Sequence, residues 1–177
     1  ISFLDTTGAY PGIGSEERGV AIAIAENLQA MSRLRTPIVC AIIGEGGSGG
    51  ALGIGVGDRI LMLQHAYYSV ISPEGCASIL WRDGEKKALA AGVLRLTRRD
   101  LARFGLIDEV VPEPLGGAHR DPHAAAQRLQ QALIRHLDEL KGMSTDALVE
   151  SRYGKFRAFG EFFEGEILSE APEVSAS

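Results

Sequence analysis

The sequence predicts an α/β domain, and three observations carry that prediction. The apolar, β-branched run Ile38-Val39-Cys40-Ala41-Ile42-Ile43 has the length and composition of a buried strand. It leads directly into Gly44-Glu45-Gly46-Gly47-Ser48-Gly49-Gly50-Ala51 and then Leu52-Gly53-Ile54-Gly55-Val56, which reads as strand, glycine-rich turn and buried helix start. The same order of strand, glycine-containing turn and helix recurs through residue 111, the pattern of a layered α/β domain.

Ile1-Ser2-Phe3-Leu4 reads as the end of a strand, and the chain is expected to start mid-domain. Asp5 to Ser15 is a loop with Gly8, Pro11, Gly12 and Gly14. Ser15 has the character of an N-cap, with Glu16 and Glu17 in the first turn of a helix running to about Leu34. Val20, Ile24, Leu28 and Met31 fall at helical spacing and give that helix one apolar face. Beyond the glycine run, Asp58 to Gln64 and Tyr67 to Ile71 read as strands. Ser72-Pro73-Glu74 is a helix start, with Ser as cap, Pro at the first position and an acid behind it. Asp83-Gly84 breaks this helix, and a second follows from Lys86 to Leu94. Thr97 and Asp100 suggest a variant capping box for a short helix closed by Gly105. Leu106 to Val111 is a strand interrupted by Asp108 and Glu109. After the turn-rich stretch Pro112 to Pro122, Ala125, Leu129, Leu133, His136, Leu137 and Leu140 mark one face of a long amphipathic helix. Ser144 opens a last helix, whose apolar stripe continues through Tyr153, Phe156 and Phe159, so the end of the chain is a helical arm suited to interaction. From Glu161 the sequence turns acidic, and residues 161–177 are expected to be disordered.

At 177 residues the chain suffices for one well-buried domain, and 45% hydrophobic with 23% charged residues is the balance of a soluble globular protein. The net charge of −5 and the lack of a long basic run argue against nucleic acid as a partner. No apolar stretch is long enough to span a membrane, and no signal peptide is evident. Cys40 and Cys76 stand apart and belong to no Cys-x-x-Cys pair, so a zinc site is not expected, and two lone thiols suit a reducing cytoplasm.

Glycine is 22 of 177 residues, roughly 12% against a usual ~7%. At a helix start the backbone N–H groups are unpaired and partly positive, and glycine lets a ligand come close to them. The run at 44–51 is thus a seat for a negatively charged oxygen. Gly44-x-Gly46-x-x-Gly49 matches a dinucleotide fingerprint, but Asp58 comes too early for the ribose-binding acid. Gly46-x-Ser48-x-Gly50 matches a nucleophile elbow, which needs a base from His65, His119, His123 or His136. No Lys follows Gly50, which excludes a P-loop. Asp5 to Gly12 is either a rigid loop with Tyr10 packed on Pro11 or a second wall of the same pocket. Glu74 reads as a dipole-matched helix acid before it reads as a general acid or base, and Arg120 in the exposed loop 116–120 is either a carboxylate or phosphate clamp or part of a solvated loop.

Five ordered strings together resemble the carboxyltransferase α subunit of bacterial acetyl-CoA carboxylase. They are Phe3-Leu4-Asp5-Thr6-x-Gly8-Ala9-Tyr10-Pro11-Gly12, Glu16-Glu17-Arg18-Gly19, Ile43 to Leu52, Tyr68 to Trp81, and Pro112 to Arg120. The resemblance spans residue 1 to about Phe159 and departs at Thr7, where the family usually has Pro, and within Asp83–Arg99, where Arg95 replaces a small residue. It implies a ClpP/crotonase-like fold of repeated ββα units, with residues 1–160 as the domain and a helical arm at about 122–160. The implied activity is carboxyl transfer from carboxybiotin to acetyl-CoA, giving malonyl-CoA, within the ATP-dependent complex that opens fatty acid biosynthesis. Gly49 and Gly50 would be the backbone oxyanion hole for the biotin ureido oxygen; Gly46, Gly47, Ala51, Gly8, Ala9 and Tyr10 would bind substrate. The implied partners are a β subunit in an α2β2 assembly, the biotin carboxyl carrier protein and biotin carboxylase, in the cytoplasm, with no cofactor covalently bound to this chain and zinc only on the β subunit. Ala51-Leu52-Gly53-Ile54 holds no acid, which disfavours hydratase chemistry. Two alternatives remain: a catalytically idle scaffold fragment, and a crotonase-like thioester hydrolase using Ser48.

Overall fold

The structure, a computed structural model, describes residues 1–160. The acidic stretch 161–177 lies outside the described residues. Five strands form one parallel sheet: β1 (Ser2–Thr6), β2 (Val39–Gly47), β3 (Arg59–Leu63), β4 (Tyr67–Ser69) and β5 (Glu109–Val111). The order is β1-β2-β3-β5, with β4 paired to the far end of β2. The first half of β2 lies against β3, with Val39 opposite Arg59 and Ile42 opposite Met62. The second half lies against β4, with Glu45 opposite Tyr67 and Gly47 opposite Ser69. The glycine run is therefore strand as far as Gly47, not a turn. Backbone pairing to strands on both sides overrides the low strand preference of glycine.

Side chains along β2 alternate between two cores, as a strand buried on both faces requires. Cys40 and Ile42 join Leu4, Ile60 and Met62 on one face. Val39 and Ala41 join Leu61, Leu63 and Val111 on the other. The first face is covered in part by α2 (Val20–Arg33) and α6 (Arg98–Arg103), through Leu28, Met31 and Leu101. The second is covered by α7 (Pro122–Lys141) and the start of α8 (Thr145–Arg157), through Ala132, Leu133, Leu140 and Leu148. The helical arm thus packs along the sheet. Between β4 and α6, α4 (Pro73–Trp81), a 3₁₀ turn (Gly84–Lys86) and α5 (Lys87–Leu94) form a small unit around Cys76, Ala77 and Ala90. Among the described residues no helix is long and apolar enough to cross a membrane.

Local signals fared unevenly. Ser72 Oγ accepts from Gly75 N–H at 3.1 Å and Ser144 Oγ from Ala147 N–H at 3.3 Å, as their cap positions predict. Ser15 is not a cap. It lies inside α1 (Ile13–Glu17), and left-handed Gly19 (φ 74°) separates α1 from α2, so residues 15–34 are two helices. Thr97 and Asp100 do not form a capping box, because the Thr97 hydroxyl is spent on the Asp100 carboxylate at 2.9 Å.

Asp58, read from sequence only as the start of a strand, has a larger part. It is 4% exposed and faces Arg152 of α8, 2% exposed. Arg152 Nε donates to Asp58 Oδ1 and Nη2 to Oδ2, each at 2.9 Å. Nη1 donates to the carbonyls of Met31 and Leu34, and Nη2 also to that of Thr36. All five guanidinium N–H groups are used. Asp58 Oδ2 further accepts Ile38 N–H at 2.7 Å, so the knot joins α8, the end of α2 and the start of β2.

Candidate functional site

The site grows from the far end of β2, where α3 (Ser48–Leu52) begins. The loop after β1 lies against it, backbone to backbone. A Cβ on Gly47 would collide with the Thr7 carbonyl and lie 3.1 Å from Gly8 N. A Cβ on Gly50 would lie 2.7 Å from Gly8 C and 2.8 Å from Ala9 N. Gly8 itself (φ 142°) sits with its Cβ position 3.4 Å from Ser48 Cβ. Only chains without side chains approach this closely. Asp5, at the end of β1, fixes the approach by accepting Glu45 N–H at 3.0 Å. Thr7 meets Gly47 here through its backbone carbonyl.

A cavity of about 230 Å³ opens beside this junction. It is lined by Ser48 and Gly49 from α3, by Leu52, by Tyr68, Ser69 and Val70 after the turn into β4, and by Leu101 and Leu106. Burial pushes the Tyr68 hydroxyl up from its ordinary value, with the Cys40 thiol adding to the effect, so it stays protonated at neutral pH.

The structure brings Gly8, Ala9, Gly47, Ser48, Gly49 and Gly50 together. Gly46 packs beneath them against Tyr68. Ala51 is fully buried in the first core, so its side chain serves packing. Tyr10 is 75% exposed and its ring lies over Gly12, outside the cavity lining. A side chain on Gly50 would drive the two glycine walls apart. Tyr68, Val70, Leu101 and Leu106 were not anticipated as lining. Tyr68 and Val70 stand within one of the five ordered strings, whereas the two leucines carry no local signal.

The nucleophile reading of Ser48 lacks its base. Among the described residues no histidine lines the cavity: His65 and His119 flank the loop at Glu113–Gly117, His123 is exposed on α7, and His136 Nε2 meets Glu109 Oε2 at 2.7 Å. The dinucleotide reading fails because Asp58 is consumed by Arg152. Glu74 is exposed in the first turn of α4, as a helix-dipole acid. Arg120 is exposed beside Gly116. Cys40 donates its S–H toward the Ile54 carbonyl at 3.7 Å, and burial pushes its thiol up to about 11, so it is a packing residue. What remains at the junction is the start of α3, where Ser48 and Gly49 line an apolar cavity and the first N–H groups of the helix have no partner within it.

The chain is 60% identical over 164 residues to the acetyl-coenzyme A carboxylase carboxyl transferase subunit alpha of Rhodopirellula baltica, covering 93% of this chain and 51% of that protein. It is 61% identical over 164 residues to the same subunit of Geobacter metallireducens, covering 93% and 52%. The chain thus spans about half the length of the curated relatives it matches. In three dimensions it superposes on a chain of a Pseudomonas malonate decarboxylase hetero-tetramer with a TM-score of 0.71 at 23% identity, covering 86% of this chain and 60% of that one. That likeness bears on fold alone, and the fold is the crotonase-like α/β class that the sequence predicts. The profile of the family described as acetyl co-enzyme A carboxylase carboxyltransferase-like matches residues 1–160, and the chain belongs to that family.

Proposed function

We propose that this chain is the biotin-side portion of an acetyl-CoA carboxylase carboxyltransferase, moving a carboxyl group from carboxybiotin to acetyl-CoA to form malonyl-CoA. The observation that carries the reading is the clamped glycine junction, where Gly49 faces the cavity and the neighbouring walls leave no room for a side chain on Gly50. Carboxybiotin, when bound here, would supply the carboxyl group. The N–H groups of Gly49 and Gly50 would hold the ureido oxygen of biotin and stabilise negative charge on it. Fixed backbone donors need no reorganisation to do so, which is the source of their catalytic effect. Gly46, Gly47, Gly8 and Ala9 keep those donors in place through backbone packing, and Tyr68, Leu101 and Leu106 exclude water from the anion. Ala51 contributes through its place in the first turn of α3, and Tyr10 as an exposed side chain on the loop after β1, open to a carrier-borne substrate.

The partners in this reading are a carboxyltransferase β subunit that holds acetyl-CoA and the zinc, in an α2β2 assembly, with the biotin carboxyl carrier protein delivering carboxybiotin and biotin carboxylase reloading it in the cytoplasm. The test is malonyl-CoA-dependent carboxylation of biocytin by this chain, alone and with a β subunit. Turnover only with the partner is expected. A formed complex without turnover would favour an idle scaffold, and thioester hydrolysis by the chain alone would favour a hydrolase.

A further inference from the structure

We infer that Ser48 is a positioning residue whose left-handed backbone, not its hydroxyl, aims the Gly49 and Gly50 N–H groups into the cavity. The inference rests on the carboxyltransferase reading of this site. Ser48 has φ of 52°. Among the described residues two other non-glycine residues share a positive φ, Arg82 and Arg95, and both close helices, α4 and α5, where a left-handed residue is the ordinary terminator. Ser48 closes nothing. It opens α3, directly after the extended Gly47 (φ −100°, ψ 128°).

A side chain is disfavoured in this conformation because its Cβ crowds the following carbonyl. Such a residue persists only where its surroundings fix it. Here both sides are fixed. Gly47 is pressed under the Thr7 carbonyl, and the Cβ position of Gly50 lies 2.7 Å from Gly8 C. The chain enters and leaves Ser48 along clamped backbone and changes from strand to helix at that one residue. Ser48 and Gly49 both line the cavity, so this single turn decides which way the next amides face. Glycine would reach the same φ without crowding, but it samples more backbone states. A side chain at 48 leaves fewer wells and keeps the donors pre-set.

Four variants separate backbone from side chain: Ser48→Gly, Ser48→Ala, Ser48→Asn and Ser48→Val. Each is assembled with a β subunit and assayed by malonyl-CoA-dependent carboxylation of biocytin. Asn and Val are of similar bulk, but Asn is enriched in the left-handed region and a β-branched residue is an outlier there. Gly, Ala and Asn are expected to keep kcat within about threefold of wild type. Val is expected to lose at least about fiftyfold in kcat with the biocytin KM little changed, the signature of a contact made in the transition state. An Ala variant as impaired as Val would assign the effect to the hydroxyl, an Asn variant as impaired as Val would assign it to bulk, and an active Val variant would leave no effect; each overturns the inference. Thermal unfolding of the chain gives a reading that needs no turnover, with Gly and Asn melting at or above Ala, and Val lowest. A Val variant melting as high as Asn overturns the inference, whereas a wild-type complex without turnover refutes the carboxyltransferase reading and leaves the melting order to decide on Ser48.

Discussion

The two halves of β2 are built on opposite principles. From Val39 to Ile42 every side chain is buried, alternating between the two cores, and the strand is held by what its side chains touch. From Gly44 to Gly47 the strand carries one side chain, and it is held by what can come close because side chains are absent. The first half stabilises the fold, at about 1.5–3 kcal/mol for each large apolar side chain fully buried. The second half gives up that contribution and gains a backbone surface onto which the loop after β1 locks. The two stretches belong to a single strand, and where one gives way to the other the register against β1 shifts and the partner on the other edge changes from β3 to β4.

The most damaging single change is expected at the knot that anchors the first half. Arg152→Leu leaves Asp58 buried without its guanidinium and should cost about 3–5 kcal/mol, the scale for breaking one side of a buried ion pair. Urea unfolding measures it, and a loss under about 1 kcal/mol would mean that the knot is dispensable. A sharper comparison lies within the glycine run. Gly50→Ala puts a Cβ 2.7 Å from Gly8 C and should destabilise by about 1–3 kcal/mol, as overpacking does. Gly49→Ala meets only Ile24 Cδ1 at 3.8 Å and should be neutral or stabilising by up to about 1 kcal/mol. Equal melting temperatures for the two variants would contradict the clamped geometry. The smallest effect is expected far from both halves, at Arg95. Its left-handed backbone (φ 49°) suits glycine, and its exposed pair with Asp100 is weak, so Arg95→Gly should gain about 0.5 kcal/mol. A lower melting temperature in that variant would count against it.

Much of the first half was legible in the sequence. The run 38–43 and the caps at Ser72 and Ser144 are local signals, and the structure uses them locally. The strand character of Gly44–Gly47 was not legible, because it comes from partners on β1 and β4 and not from glycine itself. Nor was the pairing of Asp58 with Arg152, which are separated by 94 residues with no spacing rule between them. The helix break at Gly19 was hidden by the apolar periodicity from Val20 onward, which is real but belongs to α2 alone. At the site the glycines were conspicuous by composition. Their apposition to Gly8 and Ala9, and the lining by Leu101 and Leu106, exist only once the chain is folded.

The most direct test of the central claim is the turnover of Gly50→Val in the complex with a β subunit, with assembly checked by size-exclusion chromatography. Forcing the two glycine walls apart should misplace the amide pair and raise the barrier by at least ~2.7 kcal/mol, about a hundredfold in kcat, while the complex still forms. A Gly50→Val complex that turns over within about twofold of wild type, well short of the loss of one oxyanion donor, would contradict the assignment of this junction as the seat of the oxyanion.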